Sequence, residues 1–181
     1  MLKHCVVLVS LIAAVVAPTA ACGIAAQSKG GGSPWAPLSF LIGEWTGEGS
    51  GKPGQGPGEM SVSWDLNHHI LLNKGHSAYP ASKDRPATVH DSVMIIYLDP
   101  PTEKLRASYF DNEGHVIQYA VETGASPNRV VFLSDASPAT PRFRLSYIDT
   151  GNGTFSNKFE IAPPGKPEAF STYIEGKARR K

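Results

Sequence analysis

Cysteine is almost absent from the sequence, which has only Cys5 and Cys22 among 181 residues. Cys5 falls inside a segment that we expect to be removed, so the mature chain keeps Cys22 alone. A single thiol cannot form an intramolecular disulfide, and cysteine-based zinc sites require several thiolates. The sequence therefore excludes a disulfide framework and a cysteine-based zinc site.

A hydrophobic run long enough to cross a membrane is also missing. Residues 6–16 are apolar over about 11 positions, whereas a membrane-spanning helix needs about 20. Lys3 precedes this run and the small residues of 18–21 follow it, which is the pattern of a secretory signal. We predict a signal peptide over 1–21. The protein is then exported and is periplasmic, secreted or lipid-anchored in a bacterial envelope.

Thr19-Ala20-Ala21-Cys22 resembles a bacterial lipobox, with Thr19 at the position where leucine is usual. Cleavage before Cys22 would leave that residue as a lipidated N-terminus, and this lipid anchor is the only membrane contact that we predict. Ordinary cleavage after Ala21 or after Ala26 is the alternative. Residues 22–33 are predicted to form a flexible tether, and 34–181 a single domain.

Neither sign of charge dominates, since the chain has 17 Lys and Arg residues against 16 Asp and Glu residues. Removal of Lys3 with the signal peptide brings the mature net charge to about zero. A neutral protein has no long-range field that attracts phosphate backbones, so we predict no nucleic-acid partner. We interpret the basic tail of 177–181 as a solvated end. Nothing in the sequence specifies an oligomeric state.

The motifs of the common catalytic and nucleotide-binding sites are missing. No Gly-x-Ser-x-Gly nucleophile elbow occurs. Gly49-x-Gly51-x-x-Gly54 is followed by further glycines and a strand, instead of the helix that a dinucleotide site needs. His68 and His69 are adjacent, so on a strand they face opposite sides and cannot easily bind one metal ion. We therefore predict neither a catalytic residue nor a metal site.

Alternating apolar and polar residues recur along 34–181 and predict a series of short β-strands. Met60, Val62 and Trp64 alternate with polar residues, and the pattern returns up to the end of the chain. Gly, Pro, Asn and Asp fall between these runs, where they form turns. Residues 34–42 predict a short helix. The expected fold is all-β, with roughly ten strands in an antiparallel up-and-down barrel.

The segment Phe40-Leu41-Ile42-Gly43-Glu44-Trp45-Thr46-Gly47-Glu48-Gly49, which we call the opening motif, stands at the start of these strands. It resembles two barrel families: the exported bacterial domain of unknown function 1579 family, and the nitrobindin-like haem-binding barrels of the calycin group. The first is closer, because 109–115 and 173–179 also match its general pattern. The resemblance covers 36–181. It implies a calycin or lipocalin-like barrel of roughly ten strands, with a lumen for a small apolar or planar ligand.

Nitrobindin-like barrels hold haem iron through a histidine on the last strand. The corresponding segment here, 170–176, contains Tyr173 and no histidine. Tyrosine ligates haem iron in some proteins. We therefore expect no cofactor, and we keep as an alternative a haem-binding barrel in which the axial ligand is Tyr173 or is not supplied by the protein.

Aromatic and charged residues on the predicted strands are candidates for ligand contact, because the inward residues of a barrel line its lumen. The predicted ligand-binding residues are Trp45, Glu48, Trp64, Tyr109, His115, Arg144, Tyr147 and Tyr173. Arg144 is included because an inward guanidinium could bind a ligand carboxylate through two hydrogen bonds. The predicted function is to bind a small, largely apolar molecule after export. The other alternative is an enzyme that uses a lumen carboxylate or His115, paired with Tyr109 or Glu48.

Overall fold

The computed structural model describes residues 32–124, 126 and 128–181. The predicted signal peptide, Cys22 and most of the predicted tether lie outside the described residues. Within the described part of the chain, no helix is both long enough and apolar enough to cross a membrane.

Ten β-strands follow a short 3₁₀ helix at Ala36–Leu41. The strands are β1 (Gly43–Gly51), β2 (Gly56–Asp65), β3 (Ile70–Tyr79), β4 (Thr88–Asp99), β5 (Lys104–Asp111), β6 (Val116–Thr123), β7 (Arg129–Ser134), β8 (Arg142–Gly151), β9 (Thr154–Ala162) and β10 (Ser171–Arg180). Each strand pairs with its sequence neighbours, and β1 also pairs antiparallel with β10, so the sheet closes into a barrel. The predicted fold class, an antiparallel up-and-down barrel with a short N-terminal helix, is confirmed.

The 3₁₀ helix closes one end of the barrel. Leu38 and Leu41 are 0% and 1% exposed and belong to the hydrophobic core. The indole Nε1–H of Trp45 donates a hydrogen bond to the carbonyl oxygen of Leu41 over 2.8 Å. The guanidinium of Arg180 lies 4.4 Å from the centre of the same indole ring. These contacts tie the helix to β1 and β10 and seal this end of the lumen.

A band of aromatic rings lies next to the closed end. The rings stand on β5 to β9 and on β1, and each meets the next edge to face: Tyr109, Tyr119, Phe132, Tyr147, Phe155 and Trp45. Neighbouring ring centres are 4.6 to 6.5 Å apart, which is the spacing of favourable aromatic pairs. This aromatic band forms the packed part of the barrel interior.

The glycines of the opening motif allow β1 and β10 to approach closely. A Cβ at Gly47 would overlap the carbonyl oxygen of Lys177. A larger residue at this position would therefore push the two strands apart. Trp45 precedes Gly47 by two residues, so it shares the same side of the strand and lies in the core. The motif thus closes the barrel and begins its lining.

Candidate functional site

Beyond the aromatic band, the lumen contains a cavity of about 410 Å³. Small-molecule sites usually have volumes of about 300–1,000 Å³. The cavity extends toward the end of the barrel opposite the 3₁₀ helix, where β3 ends at Tyr79 and β5 ends at Asp111. Exposed side chains such as Glu113 and His115 form its mouth.

One wall of the cavity, on β8 to β10, is apolar. Phe143 of β8 and Phe159 of β9 are stacked, with ring centres 5.9 Å apart and an interplanar angle of 9°. Tyr173 of β10 meets Phe159 edge to face at 6.1 Å. Ile161 and Ile174 extend this surface. A flat apolar molecule would bury one of its faces against this wall.

The opposite wall, on β4 to β6, carries a chain of hydrogen-bonded polar side chains. His90 lies between Glu113, whose Oε1 is 2.9 Å from Nδ1, and Tyr109, whose hydroxyl oxygen is 2.8 Å from Nε2. The Tyr109 hydroxyl is 3.3 Å from Oδ2 of Asp111, and that oxygen is 2.9 Å from Nδ1 of His115. All five residues line the cavity. We call them the polar cluster.

Strand register and one turn bring the polar cluster together. In the pairing of β4 with β5, Ser92 stands opposite Asp111, which places His90 level with the turn that follows Asp111. Oδ1 of Asp111 accepts hydrogen bonds from the backbone N–H groups of Glu113 and His115, at 3.0 and 2.9 Å. Asp111 therefore holds the turn between β5 and β6 in shape, and the turn presents Glu113 to His90.

The two carboxylates determine the tautomers of the two histidines. An ionised carboxylate only accepts hydrogen bonds, so the Nδ1 atoms that face Glu113 and Asp111 carry hydrogen. In a neutral imidazole Nε2 is then an acceptor. For His90 this nitrogen lies 2.8 Å from the Tyr109 hydroxyl, whose single hydrogen is donated either to Nε2 or to Oδ2 of Asp111 at 3.3 Å, because one hydroxyl cannot donate to both. For His115, the side-chain hydrogen bond found among the described residues is made by Nδ1.

The pKa of the Asp111 carboxyl lies below its ordinary value, although its side chain is only 3% exposed. Burial is the largest influence and acts to raise this pKa. Hydrogen bonds from the backbone and imidazole of His115 and from the backbone N–H of Glu113 outweigh burial and lower the pKa. Asp111 is therefore ionised at neutral pH.

Tyr109, Tyr119 and Tyr147, which line the cavity, are neutral. Burial raises the pKa values of Tyr109 and Tyr119 well above the ordinary value, and the negative charge of Asp111 adds to the effect on Tyr109. Burial also raises the pKa of Tyr147 to about 12, while a hydrogen bond with Asn73 acts in the opposite direction. These hydroxyls thus offer hydrogen bonds to a ligand but no charge.

Most of the predicted ligand-binding residues line the cavity: Trp45, Tyr109, His115, Tyr147 and Tyr173. Glu48 borders the cavity, but its exposed side chain alternates with the inward positions Gly47 and Gly49 and accepts a hydrogen bond from Gln55. Trp45 and Tyr147 belong to the aromatic band at its floor, while Tyr109 and His115 belong to the polar cluster. Their contact with a ligand stays a prediction.

Trp64 and Arg144 do not line the cavity. Trp64 packs against Trp35, with ring centres 4.9 Å apart, beside the closed end. Nε of Arg144 donates a hydrogen bond to Glu160 over 2.7 Å, and its guanidinium lies 4.0 Å from the centre of the Phe170 ring. Alternate side chains of β8 face opposite sides, and Arg144 is on the outer side. Neither residue is positioned to meet a ligand in the lumen, which corrects the prediction.

Sequence reasoning assigned no role to His90 or Asn73, both of which line the cavity. Asn73 is 6% exposed, and a polar residue at an inward position of a strand is the signal that could have identified it. No comparable local signal marks His90, because its partner Glu113 lies 23 residues away.

The polar groups present do not fit the histidine-ligated haem of nitrobindin-like barrels. No group of three or more His, Cys, Asp or Glu side chains that could hold a metal ion occurs in the described part of the chain. The last strand, β10, has no histidine. Both ring nitrogens of His90 are hydrogen-bonded within the polar cluster. Tyr173 of β10, the residue that the haem alternative would use as an axial ligand, lines the cavity.

No family model matches the sequence, and no curated protein matches it. Among solved structures, the chain is similar to a de novo designed fluorescence-activating β-barrel, with a TM-score of 0.41 and 11% identity, covering 82% of this chain and 99% of that chain. It is also similar to EF1p2_mFAP2b bound to DFHBI, with a TM-score of 0.40 and 9% identity, covering 82% and 100%. A third similar structure is a protein of unknown function from the DUF3598 family of Nostoc punctiforme, with a TM-score of 0.32 and 8% identity, covering 82% and 99%. The fold assignment rests on the strand pairing, and these likenesses add no argument about a ligand.

Proposed function

We propose that the protein is an exported binding protein that holds one small, largely apolar molecule in the lumen of its barrel. The observation that carries this proposal is the cavity of about 410 Å³ between the aromatic band and the mouth. The aromatic band and the wall on β8 to β10 supply apolar contact area. Burial of apolar surface contributes about 25 cal/mol per Å², so about 200 Å² of ligand surface contributes about 5 kcal/mol before the cost of association.

The placement of small residues supports this proposal. Gly47, Gly49, Gly58, Gly75 and Ser77, on β1 to β3, all line the cavity. A barrel of about eight strands is just wide enough for side chains to fill its interior, and additional strands widen it. Small side chains on one part of the wall leave the remaining space empty. Large apolar residues at these positions would have given a solid core instead.

Export and family membership are parts of the proposal that rest on the sequence. Residues 1–21 have the charged start, apolar run and small-residue exit of a signal peptide. The opening motif supports membership of the domain of unknown function 1579 family or of the nitrobindin-like group. The protein then acts in a bacterial envelope or outside the cell, in soluble form or anchored through Cys22.

An enzyme is the second candidate function, and the polar cluster is the observation that favours it. Asp111 orients His115, and Glu113 orients His90 against the hydroxyl of Tyr109. A carboxylate-oriented imidazole is able to transfer protons as a general acid or base. Binding is the primary proposal, because most donors and acceptors of the cluster are bonded to one another.

Native mass spectrometry of the purified full chain, with an absorbance spectrum of the same sample, tests the binding proposal. We expect a colourless protein that carries one small molecule per chain, which organic solvent releases. Ser77→Phe fills the cavity and should abolish this adduct. The matched change Ser63→Phe, at an exposed position of β2, should leave it unchanged. A haem absorbance band would favour the haem alternative, and an adduct that survives Ser77→Phe would contradict binding in the lumen.

A further inference from the structure

Arg85 is a cation at the mouth of the cavity that has no carboxylate partner. It lies in the loop between β3, which ends at Tyr79, and β4, which begins at Thr88, and both of these residues line the cavity. The ion pairs found among the described residues do not include Arg85. Its Nε atom is buried and has no hydrogen-bond partner among these residues. A buried donor without an acceptor costs free energy, so this guanidinium gains stability from an added anion.

Contacts with two neighbouring parts of the mouth hold the guanidinium of Arg85 in place. Its central carbon lies 5.9 Å from the centre of the Tyr79 ring. Its Nη2 atom lies close to Gly54, in the turn between β1 and β2, where a Cβ would overlap it. The backbone N–H of Ser82 donates a hydrogen bond to the carbonyl oxygen of Arg85 over 2.8 Å, which closes the loop into a tight turn. The half-buried side chain is therefore positioned before a ligand arrives.

The groups near Arg85 do not neutralise its charge. Burial raises the pKa of Tyr79, so the phenol that lies beside the guanidinium stays uncharged. Glu113 is hydrogen-bonded to His90 over 2.9 Å, and Asp111 to His115 over the same distance. These carboxylates thus have partners of their own. The charge of Arg85 also persists whether or not those histidines are protonated, because a guanidinium is not deprotonated in proteins.

An arginine at the rim of an apolar cavity matches a ligand with two unlike parts. The planar guanidinium suits a carboxylate, which it binds through parallel hydrogen bonds. At the rim the carboxylate keeps part of its contact with water, so its loss of hydration is smaller than in the lumen. The wall on β8 to β10 and the aromatic band lie deeper and offer no charge of either sign. They suit an apolar body.

We propose that the ligand is an acidic amphiphile, whose carboxylate binds Arg85 at the mouth and whose apolar body extends to the aromatic band. This inference rests on the proposed function, since it takes the lumen as the binding site. It goes beyond that function by selecting the head group of the ligand and by naming the residue that binds it. The recognition of a carboxylate that the sequence suggested for Arg144 falls instead to Arg85.

Isothermal titration of the full chain with decanoic acid, decanol and decylamine tests the inference. The three probes share one alkyl chain, so their apolar contributions are alike and their head groups differ. At about pH 8.5 and low salt the acid is anionic and the amine cationic. We expect decanoic acid to bind at least about tenfold more tightly than decylamine, with decanol between them, because hydrogen bonds between charged groups are stronger than neutral ones.

Variants assign the preference to Arg85. Arg85→Gln removes the charge, so it should lower the affinity for decanoic acid by about tenfold and leave that for decanol unchanged. Arg129→Gln, at an exposed position at the start of β7, should change neither affinity. Ser77→Phe should abolish binding of all three probes.

Two results would overturn the assignment of Arg85 and leave the binding function standing. One is decanol or decylamine that binds the wild type as tightly as decanoic acid. The other is an equal loss of affinity for acid and alcohol in Arg85→Gln, which a merely structural role would give. Failure of all three probes to bind the wild-type chain would instead contradict the binding function itself.

Discussion

Replacing Trp45 with phenylalanine tests whether the opening motif anchors the 3₁₀ helix to the barrel. The indole is 2% exposed, and its N–H donates a hydrogen bond to the Leu41 carbonyl over 2.8 Å. It also lies under the Arg180 guanidinium and meets the Phe155 ring edge to face at 4.6 Å. Phenylalanine keeps an aromatic ring in the core but removes the donor. The Leu41 carbonyl then loses its side-chain hydrogen bond at a buried position.

The expected cost of Trp45→Phe is about 3 kcal/mol. A buried acceptor that loses its donor costs about 1–3 kcal/mol. A weaker cation–π contact with Arg180 adds about 0.5 kcal/mol, and the smaller ring leaves a gap that adds about 1 kcal/mol. In a domain of this size, 1 kcal/mol shifts the unfolding temperature by about 2–4 °C. The variant should therefore unfold about 6–12 °C below the wild type.

Thermal unfolding followed by circular dichroism measures this effect. Trp64→Phe is the matched control, because Trp64 is half-buried and packs against Trp35 beside the closed end. We expect this control to cost less than about 1 kcal/mol, as is usual for a substitution away from a buried hydrogen bond. Equal losses in the two variants would refute the role of the Trp45–Leu41 hydrogen bond.

Two other perturbations test the buried acid of the polar cluster and the outer face of β8. Acid should destabilise the wild type more steeply than Asp111→Asn. The pKa of Asp111 is lowered by folding, so its stabilising contribution is complete above about pH 4 and is lost as the pH falls toward the folded-state pKa. Urea midpoints between about pH 7 and pH 3 measure this, and parallel curves for the two proteins would contradict it. Arg144→Met should destabilise the fold by about 1 kcal/mol, because the Glu160 side chain is only 10% exposed and keeps only the more distant Lys158, 3.4 Å away, as a partner. The small-molecule adduct detected by native mass spectrometry should be retained, and its loss in this variant would show that Arg144 belongs to the binding site.

The strands of the barrel could be predicted because their side chains alternate. Met60, Val62 and Trp64 on β2 follow the two-residue period of a sheet with one buried face. Closure into a barrel was suggested by tight sequential turns and by the opening motif. The contact that completes it, between Gly47 and the backbone of Lys177, joins residues far apart in the chain. No local pattern specifies such a pairing.

The candidate site was predictable only in part. Aromatic residues such as Trp45 and Tyr147 were expected in the lumen because large apolar side chains occupy inward positions. The same reasoning failed for Arg144, because alternation identifies two faces without stating which one a charged residue takes. Tyr109 and His115 of the polar cluster were predicted, but the contact between His90 and Glu113 was missed for a different reason. Glu113 belongs to a turn, and its distance from His90 depends on the register between β4 and β5.

The sequence by itself determined the all-β fold and the apolar character of the barrel interior, because these depend on local periodicity and on turn-forming residues. Only the tertiary structure decided that the lumen contains a cavity and that carboxylates and histidines meet at its mouth. It also decided that the arginines of β8 face outward. The physical reason is that the size of a cavity and the charge of its lining depend on side chains from several strands that lie far apart in the sequence. The spacing of those strands is set by barrel closure, in which the opening motif brings β1 against β10.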